Sequence, residues 1–89
     1  MVKVRTFKIK NKLGIHARPA AKLASVSSQY KSKISLARDG QNVNGKSVLG
    51  ILTLACPYGS KITIKAEGAD ADEAVEALGK LIEEKFGED

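Results

Sequence analysis

The 89-residue chain holds a single cysteine, Cys56. No internal disulfide framework can exist, and the fold must rest on packing. There is also only one histidine, His16. One imidazole cannot build an all-histidine metal site, and no CxxC pair, paired carboxylates or other metal-ligand spacing accompanies it, so neither a metal nor a cofactor is expected. Aromatic residues make up only 4% of the chain, which is poor for stacking on nucleic-acid bases. No apolar run approaches the roughly 18 residues that a membrane-spanning helix needs. The opening "MVKVRTFKIKNKLG" alternates like a strand and lacks the apolar core of a signal peptide. Together with the lone cysteine, this gives the expectation of a cytoplasmic protein without membrane insertion.

What the chain does have is charge and a compact set of apolar patterns. The net charge is +5, but the lysines are scattered rather than gathered in a tract. That reads as a solvated basic surface or as steering toward an acidic protein partner, not as a nucleic-acid site. Residues 1–89 are expected to form one domain. A chain this short buries only about 60–65% of the surface its unfolded form exposes, so chemistry should sit on the surface and be completed by a partner.

Along the chain, "VKVRTFKIK" alternates as a strand with Phe7 and Ile9 inward. A helix is predicted from about Ala17, with Pro19 in its first turn, where the missing N–H costs nothing. Ala20, Leu23, Ala24 and Ser27 recur on one face of it, with Tyr30 near its end. "SKISLAR" is a second strand with Ile34 and Leu36 inward, and Asp39–Gly40 signals a hairpin into a short strand around Val43. Ser47 is a plausible N-cap for a short, densely apolar helix through Val48, Leu49, Ile51, Leu52 and Leu54, part of whose face stays exposed. "KITIKAEG" is a strand with Ile62, Ile64 and Ala66 on one side. Asp70 and Glu73 resemble a capping box for a last helix whose buried stripe is Ala74, Val75, Leu78, Leu81, Ile82 and Phe86. The order βαββαβα predicts an α+β fold, an open-faced sandwich with a four-stranded antiparallel sheet covered on one face by three helices.

The chemistry concentrates in "NKLGIHARPAAKL". His16 immediately precedes a helix, where free backbone N–H groups and the positive end of the helix dipole disfavour a charged ring and favour an attached anion. A neutral imidazole offers a nucleophilic nitrogen. Arg18 adds a planar guanidinium able to pair with phosphoryl oxygens. These parts describe a phosphohistidine site that needs no metal. On spacing alone, a lone histidine at a helix start is more often a capping or surface residue than a nucleophile. Cys56, with no histidine in motif range, reads as a small buried hydrophobe, and the carboxylates of "EGADADE" read as helix caps.

"LGIHARPAAKLA", with "VNGKSVLGILTLA" and "GSKITIKAEGADADEAVEALGKLIEE", closely resembles the histidine-containing phosphocarrier (HPr) family of the bacterial phosphoenolpyruvate-dependent phosphotransferase system. The resemblance covers essentially the whole chain. It implies that His16, through Nδ1, accepts a phosphoryl group from phosphorylated enzyme I and donates it to an EIIA domain for sugar uptake, with Arg18 steering the phosphate. Ser47 matches the family's regulatory serine, which in many bacteria an ATP-dependent HPr kinase/phosphorylase modifies; signalling to a transcriptional regulator would follow from it. Capping the helix is the alternative role of Ser47. Ala20, Ala24, Val48, Leu49 and Leu52 match the family's docking surface, although such apolar residues also suit a core. Transfer to two partners through one face implies a monomer. Within the same family, "NKLGIHARPA" and the ending "FGED" lean toward the nitrogen-branch paralogue, NPr, which feeds a regulatory EIIA, while "NGKSVLG" leans toward the sugar branch. A purely regulatory binding module acting through Ser47 is the reading from another class, and the presence of His16 argues against it.

Overall fold

The computed structural model describes residues 1–88. The elements follow the order β1 (Val2–Lys8), α1 (Ala17–Ser27), β2 (Lys33–Arg38), β3 (Gln41–Asn44), α2 (Val48–Thr53), β4 (Lys61–Glu67) and α3 (Ala71–Glu83), closed by a short 3₁₀ turn at Lys85–Gly87. The strands form one antiparallel sheet in the order β1-β4-β2-β3. This is the expected α+β open-faced sandwich.

Alternation decides which face is covered. Ile62, Ile64 and Ala66 of β4 are fully buried, as is Leu36 of β2, with Ile34 nearly so. Each such aliphatic side chain contributes about 1.5–3 kcal/mol by leaving water. Phe7 pairs in register with Ile62 and therefore shares their face, as do Lys3 and Arg5, opposite Ala66 and Ile64. Arg5 lies 4.8 Å from the Phe7 ring centroid, and Lys3 Nζ is 3.4 Å from Asp72 Oδ1 on α3. Charges on the covered face of an edge strand discourage pairing with another chain. Ile9, just past β1, is fully buried as expected. The Asp39–Gly40 hairpin forms with φ values of 50° and 82°, the doubly left-handed turn that suits this dipeptide. Gly79, an unexpected residue inside α3, lets that helix settle onto the sheet: a Cβ there would lie 2.5 Å from Phe7 Cζ.

Four expectations are corrected. Ala20 and Ala24, expected on a docking surface, are 0% and 5% exposed; with Leu23 they form the side of α1 turned into the core, because short side chains there let the helices approach closely. Asp70 sits at the start of α3 but makes no side-chain cap bond. Its carboxylate instead accepts bonds from the Lys31 and Ser32 backbone N–H groups and from the Ser32 hydroxyl, tying the start of β2 to the start of α3. Finally, α3 ends at Glu83, so Phe86 lies outside it. Lys85 and Phe86 take left-handed backbone (φ 58° and 57°), which folds the chain back and still buries Phe86 completely. Leu81 is only partly buried.

Hydrogen bonds from Ser32 and Lys31 hold the Asp70 carboxyl below its ordinary value of 3.8. A depressed acid stabilises the fold where it is ionised, so its contribution is complete above the unfolded value and lost as pH falls through the folded one. The urea midpoint of Asp70→Asn should therefore lie below wild type at pH 7. That gap should close on acidification below about pH 4; a gap independent of pH would place the effect elsewhere.

Candidate functional site

The chain leaving β1 makes a tight turn before α1. Gly14 N–H donates to the Asn11 carbonyl (3.1 Å) and Ile15 N–H to the Cys56 carbonyl (2.8 Å). Gly14 is left-handed (φ 67°), and a Cβ on it would come within 2.4 Å of the Cys56 carbonyl oxygen. Only glycine lets this turn press against the 54–57 segment, whose Leu54 and Ala55 carbonyls accept bonds from Arg38 Nη1. Ile15 is buried beneath the turn. His16 follows as the N-cap residue of α1, in extended conformation.

His16 O accepts the bond from Ala20 N–H at 3.0 Å. Pro19 has no N–H, so the orphan donors at this helix start come down to Ala17 and Arg18. The imidazole makes no capping bond, and its side chain is 38% exposed. It is therefore available at the surface, beside the helix start. Nε2 lies 2.8 Å from Glu88 Oε2. Arg18 is exposed in the first turn.

Sequence reasoning missed two members of this cluster. Asn11 is fully buried, and its Nδ2 donates both to the Gly14 carbonyl (2.6 Å) and to Glu88 Oε1 (2.9 Å). Glu88 reaches the site from the folded-back tail, which Lys22 Nζ fastens by donating to the Phe86 carbonyl (2.5 Å). The Asn11 hydrogen bond, with smaller help from His16 and Arg18 and against partial burial, holds the Glu88 carboxyl below its ordinary value. An ionised carboxylate can only accept, so this contact suits a ring whose Nε2 is the donor. An Asn in a loop gives no hint of this in sequence, and neither does a Glu near the end of the chain, because the two meet only through the left-handed turn at Lys85–Phe86.

Ser47 caps α2 as expected: its Oγ accepts from Gly50 N–H at 3.0 Å. Beyond it, Val48 and Leu49 are 37% and 77% exposed, and Leu52 is half-buried. Ile51 and Leu54 are core. With Ala20 and Ala24 inside, an exposed apolar surface contracts to Val48, Leu49 and Leu52. Leu13, in the turn before His16, adds a further exposed apolar side chain at 74%. Cys56 is buried, and burial pushes its thiol above the ordinary value despite the opposing pull of Arg38. Among the described residues no cluster of His, Cys, Asp or Glu is arranged to hold a metal ion, and no helix is long and apolar enough to cross a membrane.

Residues 3–84 match the sequence pattern of the PTS HPr component phosphorylation site family. The phosphocarrier protein HPr of Cupriavidus necator is 42% identical over 78 residues, 88% of either chain. A crystal structure of HPr-C-His from Thermoanaerobacter tengcongensis superposes with a TM-score of 0.94 at 46% identity, covering 98% of both chains. An HPr dimer from the same organism gives 0.79 at 46% identity, covering 92% of this chain and 94% of that one.

Proposed function

This chain belongs to the PTS HPr family of phosphocarrier proteins, and we propose that His16 is the atom-bearing step of its relay. The observation that carries the reading is the placement of a half-exposed imidazole at the N-cap of α1, making no capping bond of its own. The Nδ1 lone pair attacks phosphorus, and an N–P bond forms as the donor's bond to phosphorus breaks with its electron pair. The Ala17 and Arg18 N–H groups and the dipole of α1 favour the arriving phosphoryl oxygens, and the Arg18 guanidinium pairs with them. Holding must stay moderate, since a carrier that binds its cargo too tightly cannot release it.

The donor in this reading is phosphorylated enzyme I, charged from phosphoenolpyruvate, and the acceptor is an EIIA domain serving sugar uptake. Residues 1–89 act as one unit, as a monomer in the cytoplasm, since one small face must meet two partners in turn. Val48, Leu49 and Leu52 supply the apolar part of that face. At Ser47 a phosphate would sit at a helix start, where the dipole favours it, and would add about two negative charges to the docking side, weakening enzyme I binding. This would make Ser47 the target of an HPr kinase/phosphorylase and a link to a transcriptional regulator. The test of the carrier role is intact mass after incubation with phosphoenolpyruvate and enzyme I, where one acid-labile phosphoryl group is expected.

Arg18→Ala should slow acceptance by about 10-fold without abolishing it, since one charge-assisted contact is lost while the helix N–H groups remain. Single-turnover transfer from phosphorylated enzyme I reads this, and an unchanged rate removes Arg18 from the step. "NKLGIHARPA" and "FGED" favour a second reading, delivery to a regulatory EIIA of the nitrogen branch. Offering the phosphorylated chain both kinds of EIIA decides between them by which one becomes labelled faster.

A further inference from the structure

We propose that Glu88, held in place by Asn11, is a positioning residue that keeps the proton on His16 Nε2 and leaves Nδ1 as the nucleophilic nitrogen. The inference rests on the reading of His16 as phosphoryl acceptor and explains which ring atom does the work. It stands on three linked contacts. Nε2 is 2.8 Å from Glu88 Oε2, the other Glu88 oxygen is 2.9 Å from Asn11 Nδ2, and the same Nδ2 is 2.6 Å from the Gly14 carbonyl. Both partners of that amide nitrogen are acceptors, which settles the orientation of the amide. Its own Oδ1 is buried with no partner among the described residues. The Asn11 side chain is thus placed for its donor side, toward Glu88 and the turn.

A carboxylate on one imidazole nitrogen fixes the tautomer and orientation of the ring, so the opposite nitrogen keeps its lone pair. When that lone pair on Nδ1 forms the bond to phosphorus, the ring becomes formally cationic while the Nε2 proton stays where it is. Glu88 offsets the new positive charge. On transfer onward the N–P bond breaks, the pair returns to Nδ1, and the ring is neutral again with no proton exchanged. The Glu88 side chain is only 13% exposed, while the imidazole it meets is 38% exposed, so the contact is shielded from water on the carboxylate side and open on the ring side.

Because the chain has one histidine, its imidazole signals are unambiguous in a ¹⁵N-labelled sample. Such N–H protons normally exchange with water too fast to be seen. A protected ¹H–¹⁵N signal at Nε2 is expected in wild type and lost in Glu88→Ala. Phosphoryl acceptance from enzyme I should fall about 10-fold in Glu88→Ala, the low end of the effect of carboxylates that orient functional histidines, with Glu88→Gln restoring part of it. Persistence of the Nε2 signal in Glu88→Ala would overturn the proposal. So would acceptance by that variant as fast as wild type or faster, the latter marking the carboxylate as a brake. If wild type shows the Nε2 signal yet takes no phosphoryl group, while the same enzyme I labels another HPr, the reading of His16 itself fails and the positioning role falls with it.

Discussion

His16→Ala is expected to take up no phosphoryl group at all from phosphoenolpyruvate and enzyme I, while unfolding close to the wild-type temperature. Complete loss is expected because the chain has no second imidazole to substitute, and the bond to phosphorus needs a nitrogen lone pair at this point of the fold. Stability should hardly change because the ring caps nothing: the first-turn bond at this site uses the His16 carbonyl, which alanine retains. Among the described residues the hydrogen bond that is removed is the one to Glu88, an interaction on a partly exposed side chain. Intact mass under neutral and acid conditions reads the first quantity, and thermal unfolding by circular dichroism the second. A variant that still gains an acid-labile phosphoryl group would place the acceptor elsewhere. A variant that unfolds would assign the imidazole a structural role.

Gly14→Ala should be the most damaging single methyl group in the site. Left-handed backbone costs a residue with a Cβ about 1–2 kcal/mol. Here the added carbon would also lie 2.4 Å from the Cys56 carbonyl oxygen and 2.8 Å from Pro57 Cα, both backbone atoms that cannot rotate away. Forcing such contacts adds about 1–3 kcal/mol, for a total near 3 kcal/mol, or a fall in Tm of roughly 12–24 °C for a domain of this size. Gly40→Ala is the control: its φ is +82°, and a Cβ there meets nothing within 4 Å, so it should show the backbone cost alone. Equal losses in the two variants would mean that the 54–57 segment yields freely. Because the turn also carries Asn11 and His16, Gly14→Ala should slow phosphoryl acceptance even at temperatures where it remains folded.

The sequence by itself determined the layered fold and where along the chain the candidate site would lie. Two-residue alternation in β2 and β4, the Asp39–Gly40 dipeptide and the 3.6-residue stripe of α3 are local signals. Each depends on neighbours a few residues away, so each can be read without knowing the fold. The same holds for Ser47 at the start of α2 and for His16 and Arg18 at the start of α1. Tertiary structure alone decided what those elements meet. Ala20 and Ala24 have the right spacing for a face, but spacing does not say whether the face is covered, and the packing of α1 covers it. Asp70 carries a capping signature, yet its carboxylate finds the Lys31 and Ser32 N–H groups across 39 and 38 residues of chain. Glu88 joins His16 across 72 residues, through a left-handed turn in which Gly87 (φ 75°) is preceded by Lys85 and Phe86, two residues whose side chains do not announce that backbone. Hydrogen bonds of that reach follow from how the layers close, since a carboxylate turns to whichever donors the closed fold brings within 3 Å.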